Sequence, residues 1–438
     1  MACGRAASGL AAGVRRREVW AWAMYDFANS GYTTVVVTAV FNAYFVAEVA
    51  GNAPWATFLW TTALAVSNLL VMVSAPALGA YADARAAKKP LLAVTTAGCV
   101  LFTAALALTD RGDIALAFML VAFSSFFFGS GENLIAAFLP ELAHEDAFGR
   151  VSGWGWSLGY VGGLVSLGVS LAYVSAAQAR GVPATGFVPG TMLITAAIFA
   201  LASLPTFLLL RERAVPAMAG SGTDVVTAAF TRLLETLRHA RHYADFRRFL
   251  ICLVFYQAGI QAVVALAAIY AQQAMAFTTH DTLILILVVN VTAAVGAFFF
   301  GQVQDRIGHV RTIILTLIGW LLTVALAWAA QGPALFWVAA NMAGLCLGSS
   351  QSAGRALVGY LSPPARIAEF FGLWGLAVKL SSILGPVTYG AVTWISGGDH
   401  RTAILVTGSY FVAGIAIVAG VDTARGRRAA LATDTPAA

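Results

Sequence analysis

Twelve separate apolar runs of 20 or more residues govern what this chain can fold into. A helix needs about 20 apolar residues to cross roughly 30 Å of hydrocarbon. Backbone groups in hydrocarbon must bond within their own segment, so each run is expected to be a helix. The runs fall at 20–46, 55–82, 90–109, 114–139, 151–176 and 189–210, then at 249–271, 282–303, 310–330, 333–358, 368–395 and 402–421. The polar stretch 211–248 divides them six and six. The expected fold is therefore an all-α membrane protein with twelve transmembrane helices in two six-helix halves. The expected divisions are a tail over 1–19, a half over 20–210, a linker over 211–248, a half over 249–421 and a tail over 422–438. Only 11% of residues are charged, against about 25% in soluble domains. That excludes a soluble enzyme, a disordered chain and a nucleic-acid-binding module, and no nucleic acid partner is expected.

The distribution of charge predicts orientation. Of 26 Lys and Arg residues, only Arg111, Arg180 and Arg401 fall on one set of alternate connections. Lys379 falls inside a run, and the rest lie on the other set and the tails. Basic connections stay in the cytoplasm, so both termini are expected there. The net charge of +6 then describes a cytoplasmic face and not a basic binding domain. Within 211–248, Phe230, Leu233, Leu234 and Leu237 recur at helical spacing beside Arg232, Arg238 and Arg241, which predicts an amphipathic helix on that face, a tether between halves.

Other chemistries lack their signatures. The four cysteines have no paired spacing, and three lie in apolar runs as small buried residues. The histidines fall in connections or at their edges. There is no GxxxxGK[ST] phosphate loop and no HExxH pair. No cofactor or metal is expected.

The halves carry a repeated motif. Gly79, Asp83, Arg85, Lys88 and Lys89 follow the second run. Gly301, Asp305, Arg306, Gly308 and Arg311 follow the eighth at the same offset. Glycine permits close helix approach, and an Asp there can bond a neighbouring helix N-terminus. Contacts of this kind, made in one conformation and broken in another, form a gate. The paired motif resembles the loop signature of the major facilitator superfamily, whose fold also has two repeated halves.

Further stretches resemble one branch of that superfamily, the "unknown major facilitator" branch that includes the fungal autophagy-associated vacuolar amino-acid effluxers. They are Arg17-Glu-Val-Trp20-Ala-Trp22-Ala-Met-Tyr25-Asp26-Phe27-Ala-Asn29-Ser30, Phe138-Leu-Pro140-Glu141 and Gly149 through Tyr160. Gln351-Ser-Ala-Gly-Arg355, Glu369-Phe-Phe-Gly372 and Lys379 through Pro386 complete them. The resemblance implies a secondary transporter of a small solute working by alternating access, with amino acids or related metabolites as the candidate solutes. It also implies that spans one, four, seven and ten line the central cavity.

Charges inside the membrane need a reason. Asp26, Glu132 and Lys379 stand roughly 9, 10 and 16 Å into their spans. Asp26, Asn29 and Thr33 share one helix face, and Asn133 adjoins Glu132. Tyr256, Gln257 and Gln261 mark span seven, and Asn341 marks span ten. The expected polar cavity therefore comprises Asp26, Asn29, Glu132, Asn133, Tyr256, Gln257, Gln261, Asn341 and Lys379. Asp26 or Glu132 is the candidate proton carrier, with Lys379 a counter-ion or a contact for a substrate carboxylate; the alternative is a purely structural network. Expected partners are a small solute, protons and membrane lipids. The expected protein is a monomer in the inner (plasma) membrane of a bacterium. Competing classes are an embedded enzyme, a sensor or an uncoupled facilitator.

Overall fold

A computed structural model describes residues 9–214, 216, 243–275, 277, 279–397 and 399–432. Among these, twelve helices are long and apolar enough to cross a membrane. They are α1 (Arg16–Val49), α2 (Ala56–Arg85), α3 (Lys88–Ala105), α4 (Ile114–Ala136), α5 (Phe148–Gln178) and α6 (Ala184–Leu209). The second set is α7 (Ala244–Met275), α8 (Thr279–Ile307), α9 (His309–Ala329), α10 (Pro333–Leu361), α11 (Ile367–Ile395) and α12 (His400–Val418). A short helix, α13 (Thr423–Ala432), follows. The amphipathic helix expected around 230–241 lies outside the described residues.

Helix ends follow local chemistry. Pro333 sits in the first turn of α10, where a missing N–H costs nothing. Asp399 caps α12, accepting from the Arg401 and Thr402 backbone amides at 2.9 and 3.3 Å. The Thr402 hydroxyl and these amides hold its carboxyl below the usual range. Gly308 turns the chain between α8 and α9 at φ +92°, a conformation glycine adopts without strain. Helix α7 starts earlier than the apolar run does, because Tyr243 and Phe246 pack on Phe370 at 5.0 and 4.4 Å.

The outer part of α1 is not a plain α-helix. Thr33–Ala39 and Phe45–Val49 are π-helical. The Thr34 hydroxyl donates to the Ser30 carbonyl at 2.8 Å, and that of Thr38 to the Thr33 carbonyl at 3.0 Å. Such back-bonding competes with the regular ladder.

The helix neighbours repeat between halves. In the first half α1 packs on α5 and α6, α2 on α4, and α3 on α4 and α6. In the second α7 packs on α11 and α12, α8 on α10, and α9 on α10 and α12. Adding six to each label converts one set into the other. The two main contacts between halves, α2 with α11 and α5 with α8, exchange under the same operation. This is the pseudo-two-fold relation that the duplicated motif predicts.

Candidate functional site

The halves meet near one end, at a basic face that carries the 86–87, 143–147, 308 and 362–366 connections. Each copy of the repeated motif makes one inter-half tie there. On the first side, Asp83 Oδ2 accepts the Glu369 backbone N–H at 2.9 Å, at the start of α11. Gly79 makes room for this: a Cβ there would lie 2.1 Å from the Ala368 carbonyl oxygen. On the other side, Asp305 accepts the Gly149 and Arg150 N–H groups at 2.8 and 3.0 Å, at the start of α5. A Cβ on Gly301 would lie 2.5 Å from the Gly149 carbonyl oxygen. Each Asp thus places a negative charge on the positive end of a helix in the opposite half.

The motif's basic residues act differently. Lys88 pairs with Glu141 and lies 5.5 Å from the Phe138 ring centre. Its backbone N–H and that of Lys89 donate to Glu212 at 2.8 and 3.0 Å. Lys89 Nζ reaches the Leu210 carbonyl at 2.6 Å. These bonds stay within the first half, fixing the start of α3 to the end of α6. Arg85 is half-buried at the end of α2, while Arg306, Gly308 and Arg311 are exposed. A third tie comes from α13: Arg427 donates to Glu145 at 2.5 and 2.9 Å and to the Tyr360 and Ser362 carbonyls at 3.2 Å. These ties join the two halves at the basic face.

Deeper in the membrane, two ion pairs join a carboxylate of the first half to a cation of the second. Asp26 Oδ2 accepts from Arg355 Nη1 at 2.7 Å, with side-chain exposures of 11% and 3%. Glu132 faces Lys379 at 3.7 Å, with exposures of 28% and 13%. The first pair is short and closed over. The second is longer and more open.

Arg355 corrects the sequence expectation. The pattern of apolar runs places its charge among the cytoplasmic connections, leaving only Asp26, Glu132 and Lys379 well inside spans. It is instead buried within α10, which runs on to Leu361. A buried guanidinium needs a counter-charge and acceptors for its remaining N–H groups. Asp26, Ser152 Oγ at 3.1 Å and the Ser152 carbonyl at 2.8 Å supply them.

The second pair is framed by reciprocal glycine notches. Helices α4 and α11 cross antiparallel. A Cβ on Gly129 would lie 3.3 Å from Lys379 Cε, and one on Gly375 would lie 2.3 Å from the Asn133 amide. The lysine from α11 therefore seats against α4, and the asparagine from α4 seats against α11. Asn133 is 7% exposed, and its Nδ2 has no hydrogen-bond partner among the described residues. Asn29, one turn along α1 from Asp26, likewise has an unpartnered Oδ1.

The other expected residues divide. Gln257 Nε2 donates to Gln351 Oε1 at 2.9 Å, one turn of α10 from Arg355, and its Oε1 is unpartnered. Tyr256 is buried with its hydroxyl against Gly354. Asn341 donates back to Trp337 of its own helix at 2.8 Å and lies about four turns from Arg355, so it is not part of this cluster. Gln261 is half-buried, one turn along α7 from Gln257. Among the described residues there is no cluster of metal-ligating side chains. Arg355 and Gln351 are the polar residues that reasoning from runs of apolar sequence missed, although both stand in the Gln351–Arg355 stretch that resembles the branch.

Comparison with known proteins agrees with this architecture. A family model described as "Vacuole effluxer Atg22 like" matches residues 56–431. The "Uncharacterized MFS-type transporter YxiO" of Bacillus subtilis (strain 168) is 27% identical over 405 residues, covering 91% of this chain and 94% of its own. "Autophagy-related protein 22-1" of Penicillium rubens is 25% identical over 304 residues, 65% of this chain and 50% of its own length. The match to that fungal relative thus spans about half of it. Among solved structures, the human organic anion transporter MFSD10 superposes with a TM-score of 0.71 at 14% identity, covering 92% of this chain and 99% of that one. The transporter FucP in its outward conformation gives 0.72 at 14%, covering 93% and 98%. With the family model covering most of its length, this chain belongs to the Atg22-like vacuole effluxer family, and it is a secondary transporter of a small solute built on the major facilitator fold.

Proposed function

We propose that the protein moves a zwitterionic solute of the amino-acid class across a bacterial plasma membrane by alternating access, coupled to protons. The observation carrying this reading is the Glu132–Lys379 pair, at 3.7 Å and partly exposed, beside the unpartnered Asn133 amide. A solute carboxylate can take Lys379 and the Asn133 Nδ2–H, while its ammonium takes Glu132. Each replaces an existing charge interaction with an equivalent one, so little desolvation is left uncompensated. Asn29 and Gln257 each offer an unpartnered acceptor oxygen for the solute's remaining donors.

With the basic face taken as cytoplasmic, the ties through Asp83, Asp305 and Arg427 describe the state closed to the cytoplasm. Transport then requires these ties to break while contacts form at the other end. Asp26 or Glu132 carries the proton. The protein acts without a partner subunit.

The test is transport in proteoliposomes, screened over amino acids, peptides and other small metabolites, with and without a pH gradient. Amino-acid movement accelerated by the gradient is expected, with Glu132→Gln and Lys379→Ala each raising KM at least about tenfold. Transport confined to solutes lacking one of the two charges would sink the zwitterion reading. Movement indifferent to the gradient would make the protein an uncoupled facilitator.

A further inference from the structure

Arg355 has no place in the solute seat above, yet it joins the halves through one carboxylate, a serine and two aromatic faces. Its guanidinium carbon lies 4.6 Å from the Trp22 ring centre and 5.4 Å from that of Trp156. Cations over indole faces are stabilised by the ring quadrupole, more so when desolvated. Trp22 is itself fixed by its indole N–H, which donates to the Ile135 carbonyl at 2.8 Å. Gly155 leaves the space: a Cβ there would lie 2.5 Å from both Arg355 Nη2 and Asp26 Oδ2. The aromatic walls and Ser152 belong to the first half, and only the guanidinium comes from the second. One side chain of α10 thus holds α1 and α5 of the opposite half together.

We infer that Arg355 is the positioning residue of the transport cycle, linking the ionisation of Asp26 to closure of the basic face. While the face is closed, the guanidinium aligns Asp26 as a carboxylate and spans the halves. When the halves part at this face, Arg355 leaves with α10 and Asp26 stays on α1. An unpaired carboxylate at that depth is strongly disfavoured in its charged form, so it takes up a proton. Conversely, protonating Asp26 removes the charge that Arg355 grips and releases the tie.

Few other groups can substitute. Helix α6 carries no ionisable side chain, and α4 carries only Glu132, which faces Lys379. Helix α5 contributes Arg150 near the basic face, Tyr160 beside Arg355, and Tyr173 further out. Tyr25 of α1 adjoins Asp26 with its hydroxyl on Thr96 at 2.8 Å. Apart from Arg355, α10 brings Cys346 and Tyr360, neither of them a cation.

This inference rests on the proton-coupled reading, but its test needs no solute. Spin labels on Ala87→Cys and Ala365→Cys, in a cysteine-free background, report separation of the halves at the basic face. Distances are measured in proteoliposomes between about pH 5 and pH 8. In the parent protein the open fraction should rise as pH falls. Asp26→Asn should be open-biased and indifferent to pH. Arg355→Gln should raise the open fraction at least about tenfold at high pH and lose the pH response. Arg355→Lys, which keeps the charge, should restore closure with a moved midpoint. Parent distances independent of pH would overturn the inference, as would an Arg355→Gln profile like the parent's. A pH-dependent opening together with proton-independent transport would fault the coupling in the proposed function and leave the Arg355 tie standing.

Discussion

Asn133 and Lys379 owe their positions to what the opposite residue lacks. A methyl group at Gly375 would meet the Asn133 amide at 2.3 Å, and a short side chain has little room to yield. Gly375→Ala is therefore expected to displace Asn133, raising KM for the solute about tenfold while changing Vmax and melting temperature little. Transport kinetics beside a thermal-shift measurement on the purified variant check this. Asp26, Glu132 and Lys379 were legible at this scale because an isolated charge in an apolar run demands explanation. Arg355 was less so. It lies near a span end, where a basic residue ordinarily reads as topology, and its carboxylate partner is 329 positions away. Only folding brings the two halves' charges together.

At the scale of helices, the apolar runs and the repeated Gly–Asp motif were readable, because span length and close packing leave direct marks on composition. The destination of each Asp was not. Asp83 and Asp305 cap helices of the opposite half, whereas Lys88 and Lys89 stay within their own. The prediction at this scale concerns a cap. Asp305→Asn removes the charge from the start of α5, and loss of such an interaction costs about 1 kcal/mol, or about fivefold in a conformational equilibrium. Cysteine-labelling rates at the basic face should rise by that factor. Asp83→Asn should do the same at the start of α11. The π-helical parts of α1 left no clear sequence mark, since Thr33 through Ala39 reads as an ordinary β-branched apolar stretch.

Across the whole molecule, the equivalence of neighbours between halves makes the two asymmetric ion pairs more informative. The Asp83 and Asp305 ties at the basic face are duplicated, but Asp26–Arg355 joins α1 to α10 and Glu132–Lys379 joins α4 to α11. These links are not exchanged by the pseudo-symmetry, so they are where the chain departs from its own repeat, and the proposed solute seat and proton link lie there. The distribution of Lys and Arg predicts that both ends face the cytoplasm. Reporter fusions at residue 438, and accessibility labelling at Ala87→Cys and Arg180→Cys, should place the first two sites inside and Arg180 outside.

The reciprocal notches carry a consequence for how this sequence can drift. Gly129 holds space for Lys379, and Gly375 holds space for Asn133, so neither glycine answers to its own helix. A Cβ at 375 would overlap the Asn133 amide at 2.3 Å, so a larger residue there requires 133 to shorten, whereas one at 129 meets Val71 Cγ2 at 3.1 Å and asks Lys379 to shift by only a few tenths of an ångström. Relatives should therefore exchange 133 and 375 as a pair. In a family with two interchangeable solute classes, the boundary between them should fall where that pair changes.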